Sequence, residues 1–228
     1  MNAAPRQLLL NLPVETAYGR EDFLVSPSNQ MAWDMFEQWP DWHDRLLLLV
    51  GPSGSGKTHL ASIWAEKAQA RRLPAAALQQ AHLEALAASP AILLEDADAA
   101  EGIETALFHL INLVRASGAA LVVTARAFPG QWGLKTADLL SRLRLVAAAH
   151  IEAPDDALVR AVLVKQFVDR QLAVDAGFIE YLATRIEPSL EAARAAVEAL
   201  DRKALALGRP VTRQLAGEWL RSLDAPEN

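Results

Sequence analysis

The sequence predicts an α/β protein with a parallel, doubly wound sheet, followed by a small C-terminal domain of helices. Short apolar runs alternate with amphipathic segments up to residue 153, which is the pattern of a parallel sheet covered by helices. A glycine-rich loop at residues 51–58 joins the first of these runs to a helix. Beyond Pro154 the apolar residues recur only at helical spacing, which predicts a separate bundle of four helices.

Composition excludes several classes of function. The 228 residues are 52% apolar and carry a net charge of −6, which argues against broad, charge-driven binding to DNA. No apolar stretch approaches the ~20 residues that span a bilayer, and the N-terminus lacks the features of a signal peptide. The chain has no cysteine, and its five histidines lack metal-ligand spacing. We expect a cytoplasmic protein with no membrane contact and no structural metal.

The glycine-rich loop matches the pattern G-x-x-x-x-G-K-[ST] at every fixed position. It consists of Gly51, Pro52, Ser53, Gly54, Ser55, Gly56, Lys57 and Thr58. Glycines allow successive N–H groups and the helix dipole to point at one anion, and Lys57 adds positive charge for the β- and γ-phosphates. Thr58 supplies a hydroxyl ligand for Mg²⁺. The pattern predicts binding of ATP or ADP with Mg²⁺, and the alternative is an ordinary turn before a helix.

Polar residues follow two later apolar runs. The run at residues 91–94 leads into Glu95 and Asp96, with Asp98 close behind. Beside a phosphate loop, one carboxylate of the adjacent pair should hold Mg²⁺ and the other orient or deprotonate the attacking water, unless both belong to a solvated acidic turn. Thr124 ends the next run, where its hydroxyl either senses the γ-phosphate or is simply a β-branched strand end.

Two further segments have open interpretations. Arg142, on a helix at residues 138–144, is either a solvated charge or an arginine finger that acts across a subunit interface. Near the N-terminus, Gln7 is followed by spaced leucines that either anchor in an apolar pocket of a partner or pack on their own domain. At the level of local structure, Ser28 is expected to cap a helix and the run at residues 74–78 to form a weak strand.

These features, in this order, resemble the AAA+ ATPases and, more narrowly, the ATPase core of the bacterial replication initiator DnaA. The matching residues are Ser28-Asn29-Gln30, Gly54-Ser55-Gly56-Lys57-Thr58-His59-Leu60, Phe108-His109, Thr124 and Ser141-Arg142. The chain stops where the initiator continues into a helix-turn-helix domain, and its residues 7–12 are similar to the sliding-clamp-binding peptide of the Hda family. The chain is therefore identified as a member of the Hda family, the DnaA-related regulatory inactivators.

The resemblance implies roles for individual residues. Glu95 takes the Mg²⁺-associated position with Asp96 as its catalytic partner, Thr124 is sensor 1, and His59 joins the nucleotide-binding loop. The sensor 2 arginine falls by register on Glu191, and Arg194, one turn later, is its substitute. Arg142 is the finger inserted in trans into the ATP site of DnaA. The clamp-binding residues are Gln7, Leu8, Leu10 and Leu12.

The expected organisation is a clamp-binding segment at 1–19, an AAA+ P-loop core at 20–153 and a helical lid at 154–228. With the DNA-loaded sliding clamp, the protein would stimulate hydrolysis of ATP bound to DnaA, have weak ATPase activity of its own at most, and make no sequence-specific contact with DNA. Two alternatives remain: a nucleotide-stabilised replication adaptor without this stimulation, and a self-assembling AAA+ ATPase that forms homo-oligomers. Arg126 replaces an acidic residue often found in the initiator, and the sequence assigns it no role.

Overall fold

The structure, a computed structural model, describes residues 18–99 and 101–224. Within these residues five parallel strands form one sheet in the order β2-β3-β4-β1-β5. The strands are β1 (Leu46–Val50), β2 (Arg71–Pro74), β3 (Ala91–Glu95), β4 (Ala120–Ala125) and β5 (Ala147–His150). The helices of the sheet region are α1 (Gln30–Glu37), α2 (Lys57–Lys67), α3 (Leu83–Ala87), α4 (Glu104–Ser117) and α5 (Ala137–Arg144). The C-terminal helices are α6 (Asp156–Asp169), α7 (Ala176–Ala183), α8 (Leu190–Leu207) and α9 (Arg213–Asp224).

Burial explains which apolar runs become central strands. Every residue of β1 and β4 is buried, because helices cover the sheet on both faces. Helices α1 and α2 pack on one face, and α3, α4 and α5 pack on the other. The predicted doubly wound parallel sheet is confirmed, and its central strands bring the residues that follow β1, β3 and β4 to one edge.

The four C-terminal helices build their own apolar cluster. Leu163 of α6, Leu182 of α7 and Leu200 of α8 are its fully buried centre. Side-chain caps start these helices as predicted: the Asp175 carboxylate accepts from the Phe178 N–H at 2.6 Å, and the Ser189 hydroxyl accepts from the Ala192 N–H at 3.0 Å.

The residues Tyr18–Phe23, here called the leading segment, contact both parts of the molecule. Phe23 stacks on Trp33 of α1, with ring centroids 5.0 Å apart. Asp22 pairs with Lys165 of α6 at 2.6 Å, and Leu24, the next residue after the segment, packs against the C-terminal cluster. The segment therefore ties the sheet to the C-terminal helices.

Two local expectations were wrong. Helix α1 begins at Gln30 after Asn29, and the Ser28 hydroxyl bonds that of Ser26 and caps nothing. The strand expected at residues 74–78 lies earlier, at β2, while residues 75–80 form a 3₁₀ helix. In the part of the chain that the structure describes, no helix combines the length and apolar character needed to cross a membrane.

Candidate nucleotide-binding site

The loop at 51–56 leaves the end of β1 and enters α2, as the sequence predicts. Gly54 and Gly56 have φ values of +68° and +100°, in the left-handed region that residues with a Cβ rarely adopt. The N–H groups of Lys57, Thr58 and His59 belong to the first turn of α2, where a helix supplies no acceptors of its own. The curled loop and the start of α2 thus form a site suited to an anion.

The Lys57 ammonium lies against this loop. Its Nζ donates to the carbonyls of Gly51 and Pro52, at 2.7 Å each. Burial lowers the pKa of Lys57 from its ordinary value, while the charges of Asp96 and Asp98 act in the opposite direction. The carboxylates that follow β3 therefore lie close enough to the loop to influence its lysine.

The Ser55 hydroxyl gives an independent indication of a ligand. The residue is 1% exposed, and its Oγ has no hydrogen-bond partner among the described residues. A buried polar group without a partner costs about 1–3 kcal/mol, so such a group normally has one. A phosphate oxygen held in the loop would accept a hydrogen bond from Ser55, which makes the cradle chemically consistent with a bound phosphate.

The acidic tip of β3 is tied into its surroundings. Glu95 accepts from Arg72 of the edge strand β2, with Nη2 and Oε1 3.0 Å apart. The Asp96 N–H donates to the Thr124 hydroxyl at 3.0 Å, which joins the tips of β3 and β4. The Asp96 side chain is exposed. Glu95 thus has a cationic partner already, whereas Asp96 faces solvent at the site.

Magnesium suits some of the residues predicted to hold it. The Thr58 side chain is exposed at the start of α2, in the position that the motif requires for a hydroxyl ligand. Direct ligation by Glu95 would break its ion pair with Arg72. Thr58 therefore fits the metal, and Glu95 does not fit it while that pair is intact.

His59 faces away from the loop. Its Nε2 lies 2.9 Å from the Gly19 carbonyl, and its Nδ1 lies 3.1 Å from Nη2 of Arg194. A carbonyl only accepts and a guanidinium only donates, so a neutral ring protonated on Nε2 satisfies both contacts. A nucleotide contact by His59 would use its main-chain N–H, and the role predicted for this residue stays a prediction.

Helix α8 begins directly against the loop. The Leu190 N–H donates to the Gly54 carbonyl at 2.9 Å, and a Cβ at Gly54 would lie 2.6 Å from the Ser189 Cβ. Arg194, one turn further along α8, bonds His59, and its Nε is buried with no partner among the described residues. The predicted sensor 2 substitute is therefore brought to the loop's own helix, beside the site.

Arg142 lies elsewhere, against α4. Its Nε is 3.2 Å from an Asp138 oxygen, its Nη1 donates to Asn112 at 3.0 Å, and its guanidinium lies 4.8 Å from the centre of the Phe108 ring. The side chain remains 34% exposed. The predicted clamp-binding residues Gln7, Leu8, Leu10 and Leu12 lie outside the described part of the chain.

Sequence reasoning missed two contributors to the site. Asp98 accepts from the Arg126 N–H at 3.0 Å, and the Arg126 charge lowers the pKa of Lys57. The one sequence signal for Asp98 was its spacing, two residues after Asp96 at the tip of the same strand. The pairing of Asp98 with Arg126 joins positions 28 residues apart and has no local signature.

Comparison with known proteins is informative at the level of the fold. No family model matches the chain. Domain III of the Thermotoga maritima replication initiation protein DnaA has a TM-score of 0.77 at 20% identity, with 94% of this chain and 100% of that chain covered. AMPPCP-bound DnaA from Aquifex aeolicus gives 0.69 at 18% identity, covering 84% and 68%. The Thermotoga maritima RuvB Holliday junction branch migration motor gives 0.63 at 16%, covering 79% and 62%. The chain has the AAA+ fold.

The fold class predicted from the sequence is therefore confirmed. In this AAA+ domain the phosphate loop, the tips of β3 and β4, and the start of α8 meet at one edge of the sheet. The narrower assignment to the Hda family stays a prediction.

We predict that Gly54→Ala destabilises the nucleotide-free protein more than Gly133→Ala. Both glycines have φ near +70°, so both variants lose about 1–2 kcal/mol to backbone strain. Gly133 has no atom within 4 Å of an added Cβ, whereas Gly54 has Ser189 at 2.6 Å, which adds about 1–3 kcal/mol. Urea denaturation of the two variants measures the difference, and equal losses would mean that α8 does not pack on the loop.

We also predict that His59 makes stability depend on pH. Burial lowers the pKa of His59 below its usual 6.5, so the unfolded chain takes up the proton at a higher pH than the folded chain. The contribution of His59 is therefore complete above about pH 6.5 and is lost as the pH falls below that value. His59→Gln should flatten the fall in the free energy of unfolding between pH 7.5 and 5.5. His82→Gln, at a highly exposed histidine, should leave the wild-type slope, and equal slopes in all three proteins would contradict the assignment.

Proposed function

We propose that the chain binds an adenine nucleotide in the loop at 51–58 and regulates replication initiation. In this role it acts with the DNA-loaded sliding clamp to stimulate hydrolysis of the ATP bound to DnaA. The observation that carries nucleotide binding is the buried, unpartnered Ser55 hydroxyl inside a loop of left-handed glycines next to Lys57. Solved DnaA structures of the same fold were determined with AMPPCP, a nucleotide analogue, which supports the choice of ligand.

The bound nucleotide supplies phosphate charge, and the protein positions it. The loop's N–H groups and Lys57 hold the phosphates, and Thr58 is the residue best suited to Mg²⁺. Thr124 already accepts a hydrogen bond from the Asp96 N–H, so its hydroxyl proton is directed elsewhere and is free to donate. Glu95 is engaged by Arg72, which fits weak hydrolysis by this protein's own site.

The proposed target is the ATP of DnaA, and Arg142 is the residue proposed to reach it. Domain III of DnaA matches this chain over its whole length, so two such domains can meet as related AAA+ subunits. The hydrogen bonds of Arg142 to other described residues use Nε and Nη1, which leaves Nη2 to donate to a phosphoryl oxygen of the neighbour. The contacts with Asp138, Asn112 and Phe108 hold the guanidinium in one orientation, which reduces the entropy lost when it engages.

Docking on the clamp is proposed for the segment of Gln7, Leu8, Leu10 and Leu12. Its support is the sequence alone: a glutamine followed by spaced leucines suits a peptide that anchors in an apolar pocket. The clamp would concentrate the protein near DNA-bound DnaA, since tethering raises the effective concentration of both partners.

One observation favours a second candidate, a nucleotide-stabilised adaptor that brings partners together without stimulating hydrolysis. The ion pair and hydrogen bond that Arg142 makes with Asp138 and Asn112 suit a structural arginine that fastens α5 to α4. The two candidates differ in what the loss of this guanidinium does to a partner's catalysis.

For nucleotide binding, we predict that Lys57→Ala abolishes the rise in melting temperature produced by ADP or AMPPCP. A ligand that binds only the folded state stabilises it by about 2.7 kcal/mol at a hundred times its Kd, and the variant loses the main charge that attracts the phosphates. Lys67→Ala, at the exposed end of the same helix, is the matched control and should keep the full rise. An undiminished shift in Lys57→Ala would rule out the loop as the binding site.

For regulation, we predict that Arg142→Ala abolishes stimulation of ATP hydrolysis by DnaA on clamp-loaded DNA. An arginine finger contributes about 10³–10⁵ in rate, so its loss should return hydrolysis to the unstimulated level. Arg144→Ala removes an exposed arginine of the same helix and should retain stimulation.

Two further results decide between the candidates. Gln7→Ala combined with Leu8→Ala should remove clamp binding and stimulation while leaving nucleotide binding intact. Absence of stimulation by the wild-type protein, with DnaA and clamp bound normally, would favour the adaptor.

A further inference from the structure

Arg126 lies next to the phosphate loop through the main chain. It follows Ala125, the last residue of β4, whose carbonyl accepts from the Gly51 N–H at 3.2 Å. Its side chain is exposed, and its positive charge acts on the Lys57 ammonium. The guanidinium is therefore at the mouth of the loop, on the side where β4 ends.

Asp98 fixes the start of this residue. Its Oδ2 accepts from the Arg126 N–H at 3.0 Å, whereas its Oδ1 is buried with no hydrogen-bond partner among the described residues. A carboxylate bound to a main-chain N–H on one side and unpaired on the other favours a cation beside it. Asp98 is thus a positioning residue that holds the root of Arg126 beside the site.

The charges around the loop are unusual for a magnesium-dependent site. Lys57 and Arg126 contribute two positive charges, and Asp96 and Asp98 contribute two negative ones, so these four side chains sum to zero. A divalent cation is drawn to a site by a surplus of negative charge, whereas a polyphosphate is drawn by positive charge. This balance favours the phosphate over the metal.

The remaining carboxylate does not alter that balance. Glu95, the residue at the predicted metal position, is paired with Arg72 at 3.0 Å, and its side chain is 22% exposed. The pair as a whole is neutral. Its strength is modest at this exposure, but it must be given up before Glu95 can ligate a metal.

We propose that Arg126 is a ligand of the outermost phosphate of the bound nucleotide, and that its guanidinium supplies charge that Mg²⁺ would otherwise provide. Binding of ADP and ATP by this chain is then only weakly dependent on Mg²⁺. A planar guanidinium suits this task, since its fork of N–H donors matches two phosphate oxygens. The inference rests on the proposed nucleotide site and specifies how that site neutralises its ligand.

The test is isothermal titration calorimetry of the full chain with ADP and with AMPPCP, each in Mg²⁺ and in EDTA. The quantity compared is the ratio of Kd in EDTA to Kd in Mg²⁺. We expect a ratio below about tenfold for the wild type, and a ratio at least about tenfold higher for Arg126→Gln, because a charge-assisted hydrogen bond to phosphate is lost. Arg126→Asp, which reverses the charge, should raise the ratio further.

Arg115→Gln is the matched control. It also removes one positive charge, from an arginine that pairs with Asp44 ahead of β1, at the opposite edge of the sheet. Its ratio should equal that of the wild type. Thermal unfolding without nucleotide should be the same for Arg126→Gln and the wild type, since the side chain is exposed.

The possible failures are distinguishable. A wild-type protein that binds neither nucleotide in either buffer refutes the nucleotide site itself. A wild-type protein that binds in Mg²⁺ and has the same ratio as Arg126→Gln leaves the nucleotide site intact and refutes the role of Arg126.

Discussion

The phosphate loop depends on having partners for its outward-facing carbonyls. A loop that turns its N–H groups toward an anion must turn carbonyls away from it, and those groups are costly when they are buried and unpaired. Lys57 bonds two of them, at Gly51 and Pro52, and the Leu190 N–H of α8 bonds a third, at Gly54. The shape of the loop is thus held partly by its own helix and partly by a helix more than a hundred residues away.

This arrangement makes the C-terminal helices part of the nucleotide site. The contact at Gly54 exists because this residue has no side chain, and Ser189 occupies the space that a Cβ would need. The same helix sends Arg194 to His59 on α2, so α8 touches the loop and the helix that follows it. A domain whose lid is joined to the loop at two points is suited to reporting the state of its nucleotide to a neighbouring subunit.

The sequence predicted what depends on local pattern. The loop motif has fixed spacing, β1 is a run of five apolar residues buried on both faces, and Ser189 and Asp175 cap their helices through bonds within three residues. Strand β2 was misplaced because a short edge strand carries exposed arginines instead of an apolar run.

Other features are set by tertiary contacts that no local pattern encodes. Ser28 was preferred as a cap on residue type, but Asn29 occupies the cap position and uses its amide to bond Ser26 and Leu24. His59 was assigned to the nucleotide by its place beside the motif, whereas its ring bonds Arg194, 135 residues later. The position of Arg126 beside Lys57 likewise follows from the order of β4 next to β1 in the sheet, which spacing along the chain does not reveal.

The leading segment has a consequence for communication through the molecule. Its Gly19 carbonyl bonds His59 on the helix of the phosphate loop, and its Asp22 pairs with α6. A protein that docks upstream and displaces this strap disturbs the nucleotide pocket at the same moment. Thermodynamic reciprocity then requires that nucleotide occupancy alter the affinity for that protein by the same factor.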